Sequence, residues 1–143
     1  MKVYYVFKIK KEFVNLYKDT PSILYNILRN IYYLDKESVE YGYNIFNQLI
    51  QTIDKIQLDR EIYIKMHQDI PYTKQKDYHM IHNRYKNETS KLRINHFYMK
   101  LELNQEYSSF YHFLNEKENN LFVCNFHNID FFFLNDYLAK TLV

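Results

Sequence analysis

Apolar and polar positions alternate along the chain in blocks whose period changes several times. Val3–Ile9 is rich in aromatic and β-branched residues and predicts a strand. Lys10–Lys18 switches to a helical period, with Phe13 and Tyr17 one turn apart. Asp19-Thr20-Pro21-Ser22 then gives a stop and a restart. Thr20 is placed to cap a helix whose first residue is Pro21, where a missing N–H costs nothing. Through Tyr33 that helix carries Ile23, Leu24, Ile27, Leu28 and Ile31 on one face. Asp35 is placed to cap a longer helix to about Ile53, with Val39, Tyr43, Phe46, Ile50 and Ile53 as an inward seam. Gly42 lies inside it, either allowing a close helix–helix approach or merely tolerated.

The second half is more β-like. In "REIYIKMHQ", Ile62, Ile64 and Met66 alternate with Glu61, Tyr63 and Lys65, which predicts a strand. Pro71 breaks the pattern, and Asp77–Lys86 fits a helix. Leu92–Leu103 predicts one long strand whose alternation resets near His96, as a bulge would make it do. "NQEYSSFYHFLNEKEN" has Tyr107, Phe110, Tyr111 and Leu114 at helical spacing. "LFVCNF" and "DFFFLN" predict two strands joined by "HNI", and Asp136–Val143 a last helical turn. No repeat, linker or break in composition divides residues 1–143. The pattern predicts one layered α/β (α+β) domain: a mixed sheet of about five strands flanked by helices.

Composition changes this picture little. Aromatics make up 19% of the 143 residues, with 16 Tyr, 11 Phe and no Trp. Abundant Lys, Asn, Ile and Tyr with scarce Gly and Pro is also what A/T-rich codons produce, so the tyrosines alone do not define a binding surface. The net charge of +2 is spread along the chain and lacks the basic stripe of a nucleic-acid binder. Lys8, Lys10 and Lys11 interrupt the apolar start before a signal-peptide core could form. No apolar run reaches membrane-spanning length. The lone Cys124, in an apolar strand, suits packing and a reducing cytoplasm.

Candidate chemistry is sparse. His79 and His82 would share a face of the expected helix near Asp77, but no third metal ligand is identifiable. Ser108, Ser109 and His112 lie on one helix without a nucleophile-elbow sequence. Phosphate-binding loops need glycines, and the only one is Gly42. Asn44, Gln48 and Gln51 form an amide stripe that is either a solvated face or an interface. The residues therefore favour a non-enzymatic binding module without cofactor, metal or small-molecule substrate. A metal-dependent enzyme using His79 and His82 is the rival reading.

The opening "YYVFKIKKEFVNLYKD" resembles the start of the SirA family, sporulation inhibitors of replication from endospore-forming Firmicutes. The likeness rests on Tyr4–Tyr5, Ile9–Lys10, Glu12–Phe13 and Asn15–Tyr17, with Ser22 keeping step. "MHQ" at Met66–Gln68 and the stretch Glu106–Leu114 before the Cys124 strand extend it. The chain departs from the family at "YYLDKE", where a Trp-containing turn would stand. The resemblance implies a single SirA-like domain that binds domain I of the replication initiator DnaA and blocks its productive assembly at the origin. It implies partner-binding roles for Phe13 and Tyr17, joined by Gln48, with Asn47 and Gln51 as alternatives for that last position. It implies no direct contact with nucleic acid or membrane. An interaction module for a different protein remains the alternative.

Overall fold

The computed structural model of the protein describes residues 1–141; Leu142 and Val143, the end of the expected last helical turn, lie outside them. The first strand is β1 (Lys2–Lys8). Helices α1 (Lys11–Tyr17), α2 (Pro21–Tyr32) and α3 (Val39–Leu49) come after it, with a 3-10 turn at Lys36–Ser38. Next come α4 (Lys55–Met66), β2 (Tyr72–Lys74), β3 (His79–Asn83), β4 (Glu88–Ile94) and β5 (Met99–Leu103). The chain continues through α5 (Phe110–Lys117), β6 (Leu121–Asn125), β7 (Asp130–Phe133) and α6 (Leu134–Thr141).

The layered α+β class stands. The sheet has seven strands rather than about five, in the order β2-β3-β4-β5-β1-β6-β7, and every pairing is antiparallel rather than mixed. Hairpins account for this: β2 to β5 form a meander, and β6 and β7 close a second hairpin, so few crossovers are needed.

Strand alternation divides the core in two. Tyr4, Val6, Leu92, Ile94, Leu101, Leu103 and Val123 point to one face and meet Leu58 and Ile62 of α4, Phe110, Tyr111 and Leu114 of α5, and Leu134 and Leu138 of α6. Phe7, Phe122, Cys124 and Phe133 point the other way, against Leu24, Tyr25 and Leu28 of α2 and Leu49 of α3. Cys124 is fully buried, and burial pushes its thiol well above the ordinary range, as suits packing rather than reactivity.

Four expectations change. "REIYIKMHQ" belongs to helix α4, because Leu58 and Ile62 are buried one turn apart while Ile64 is exposed. Asp54 also caps this helix, its Oδ1 accepting from Gln57 N at 3.2 Å. Asp77–Lys86 is no helix: His79 and Ile81 point inward and His82 outward, the period of strand β3. Leu92–Leu103 is a hairpin, not one bulged strand; Asn95 N donates to Tyr98 O across its turn. A hairpin resets alternation just as a bulge does. The helix expected to run to Ile53 ends at Leu49, and within the proposed seam Val39 and Tyr43 are exposed. Asp35 caps the 3-10 turn instead, accepting from Ser38 N at 3.1 Å. Thr20 precedes α2 as expected, yet its side chain makes no capping bond. At Gly42 a Cβ would overlap Leu34 Cδ1, the tip of a flexible side chain in the loop after α2, whereas Ile31 of α2 lies at an ordinary contact distance of 3.7 Å. The tight neighbour is a loop side chain, not a second helix.

Candidate protein-interaction surface

Helix α1 has four apolar residues among its seven, Phe13, Val14, Leu16 and Tyr17, and none is buried. Phe13, Val14 and Tyr17 are half-buried, packed against the core cluster that contains Phe7, Ile9 and Leu24. Leu16 points outward and is 62% exposed. Two aromatics one turn apart lie within about 40° of each other around a helix, so they share a face. That face rests its inner edge on the core and leaves its outer edge to solvent, with Leu16 beside it.

The backbone ties the start of α1 to the end of α3. Lys10 N donates to Leu49 O at 2.9 Å, and Lys10 Nζ to Asn47 O at 3.0 Å. Ile9 and Ile50 form an isolated antiparallel bridge, and Gln51 N donates to Lys8 O at 2.8 Å. Gln48 and Gln51 are both exposed next to this seam, whereas Asn47 is half-buried. Gln48 is on α3; Gln51 lies beyond its end, in the extended segment that pairs with the chain leaving β1. The helical stripe Asn44–Gln48–Gln51 is thus interrupted, but Phe13, Tyr17, Gln48 and Gln51 belong to two segments joined at their ends.

The groups with chemical potential are elsewhere, and the buried ones among them are held by neighbours. His79 is buried, its Nε2 2.7 Å from Asp59 Oδ1 and its Nδ1 2.7 Å from Tyr72 Oη. Asp59 also accepts from Lys55 Nζ at 2.8 Å. Nε2 of His79 thus faces a carboxylate that can accept from it, and Nδ1 faces the Tyr72 hydroxyl. Burial, then the charge of Asp59, pushes the Tyr72 phenol up to about 12, so it stays protonated. Both ring nitrogens of His79 are occupied, and His82 is on the opposite face of β3, with its Nδ1 3.1 Å from Thr89 Oγ1. The two histidines therefore do not converge. Among the described residues no cluster of three His, Cys, Asp or Glu is arranged to hold a metal ion.

The serines are engaged likewise. Glu88 is 1% exposed and accepts from Ser90 Oγ at 2.6 Å, from Ser109 N at 2.9 Å and from Ser109 Oγ. Ser108 Oγ donates to Ser90 Oγ at 3.0 Å, while His112 is exposed. This network fixes the entry to α5, with a carboxylate at a helix N-terminus where the backbone dipole favours it. Sequence reading did not find it, because Glu88 lies 21 residues from Ser109 in the chain; only the period-two position of Glu88 and Ser90 could have flagged them.

No protein-family model matches the chain, and neither does any curated protein. Among the described residues no helix is long and apolar enough to cross a membrane.

Proposed function

We propose that this chain is a sporulation-associated, cytoplasmic inhibitor of replication initiation that binds domain I of DnaA. The first helix carries the contact, with Phe13 and Tyr17 as anchors and Gln48 and Gln51 as polar neighbours. The reading starts from the resemblance of Tyr4–Tyr17 to the SirA family. The observation that carries it furthest is that α1 has four apolar residues and buries none of them. Half-exposed aromatics on a short helix are suited to act as interface anchors, because a partner can desolvate them at small ordering cost. Leu16 adds an exposed apolar side chain to the same helix.

Titration calorimetry of the purified protein against DnaA domain I tests the reading. Phe13→Ala and Tyr17→Ala should each weaken binding by about 2 kcal/mol or more. Both residues also touch the core cluster, so their stability must be measured in parallel. Leu16→Glu supplies the control: its side chain is exposed, so it should impair binding while leaving the unfolding midpoint unchanged. Unaltered affinity in all three variants would remove the site. No binding by the wild type would remove DnaA as the partner and favour a different one.

A further inference from the structure

Helices α1–α3 cover β1, β6 and β7 on their side of the sheet, and the same face of β3–β5 stays open. Strand register sets Tyr5, Lys100 and Arg93 in one cross-strand row, and Val3, Glu102 and Lys91 in the next. The open face therefore presents Lys91, Arg93 and Lys100 against one carboxylate. Lys100 reaches Glu102 at 3.6 Å, and Lys91 lies over the Tyr78 ring at 4.2 Å. Arg93 is exposed and makes no ion pair among the described residues. It stands directly opposite Lys100, an arrangement of like charges that costs stability unless an anion lies over the pair.

The Tyr5 end of this row opens into an apolar groove of about 210 Å³, walled by Tyr5, Tyr32, Phe46, Tyr98 and Phe126. The Tyr5 ring centre is 5.5 Å from that of Tyr32 and 5.7 Å from that of Tyr98. Past Ile31 and Phe46 the groove continues into a hollow of about 260 Å³ bounded by Leu34, Val39 and Tyr43. Its walls are mostly hydrocarbon, offering few groups to read the polar edge of a base. The trough is walled by aromatic rings, but its basic rim is short and the chain's net charge of +2 includes no continuous basic stripe for a phosphate backbone, so it suits a polypeptide better than a nucleic acid.

We propose that this groove, with the Arg93–Lys100 pair at its rim, docks an acidic segment of a partner protein that inserts one large apolar side chain. The surface contains no residue of α1, so it stands or falls independently of the DnaA reading. Carboxylates of the segment lie over Arg93 and Lys100 and relieve their repulsion, while the apolar anchor fills the space between Tyr5, Tyr32 and Tyr98.

The chain has no Trp, so a Trp in an added peptide reports alone. The probe is a synthetic Asp/Glu peptide with one central Trp, titrated into the full chain at low salt. Its emission should shift to the blue and saturate, and a Lys-flanked version should not bind. Arg93→Glu and Lys100→Glu should each weaken binding about tenfold, an effect that added salt reduces. Tyr98→Ala should abolish the blue shift; if that variant fails to fold, amide chemical-shift changes at Tyr5, Tyr32 and Tyr98 of the wild type replace it. Absence of a shift, equal binding of the Lys-flanked peptide, or indifference to both charge reversals would overturn the proposal. So would an oligothymidine that displaces the peptide, or a dimer of the chain closed through Tyr98.

Discussion

Ile129 illustrates what a single residue can conceal. It is in the β6–β7 turn with φ of 50°, in the left-handed region where a β-branched side chain is strained. The turn is organised by Asn125, whose Oδ1 accepts from His127 N at 3.0 Å and from Asn128 N at 3.1 Å. Ile129 itself is 68% exposed, so it gains little burial in return. Ile129→Asn should therefore raise stability by about 1 kcal/mol, read from urea unfolding midpoints. The sequence marked "HNI" as a turn, but it could not say which residue takes the unfavourable dihedral. His79 shows the same limit: its type suggested a ligand, while its role depended on Asp59 and Tyr72, contributed by α4 and β2. Phe13 and Tyr17 were legible as a pair at one-turn spacing; that they divide their surface between core and solvent was not.

At the scale of elements, errors arose where two periods fitted the same letters. Ile62, Ile64 and Met66 alternate as in a strand, yet Leu58, Ile62 and Met66 also mark one face of a helix. The helix forms because Asp54 caps it and because Asp59 latches it to β3 through His79. This latch has a pH signature. Burial disfavours the ionised form of Asp59, but hydrogen bonds from His79 and Lys55 outweigh it and hold the carboxyl below its ordinary value of 3.8. A lowered folded-state value means that the stabilisation is complete above the unfolded value and lost as pH falls through the folded one. Asp59→Asn should cost about 1–3 kcal/mol near neutrality. Its stability should also fall less steeply than that of the wild type below about pH 4. Urea denaturation at neutral and acid pH measures both. Equal slopes would show that the latch contributes no pH dependence.

Across the whole molecule, the helices are unequally anchored. The five strands β3, β4, β5, β1 and β6 are each paired on both sides, and together they carry residues of both core clusters. Helix α3 has eleven residues and buries only Gly42 and Leu49. Native-state hydrogen exchange should therefore show the central strands opening only with global unfolding, and α3 opening earlier and locally. Protection of α3 equal to that of β1 would contradict this. Such a helix can be displaced or stabilised at small cost, which matters because its end carries Gln48 and its flank lines the aromatic groove.

The sequence by itself determined the element types at both ends of the chain. β1, α1, α2, β6 and β7 lie where the periodicity places them, because each has a single period and a clear terminator such as Pro21 or the "HNI" turn. It also determined that the chain is layered and aromatic-rich. Tertiary structure alone decided the antiparallel order of seven strands, the inward turn of His79 and the burial of Glu88 among serines. It also decided the meeting of Lys10 with the end of α3. The physical reason is common to all four. Periodicity records which side of an element is apolar, whereas pairing partners, buried hydrogen bonds and the uncovered part of a face depend on residues far away in the chain.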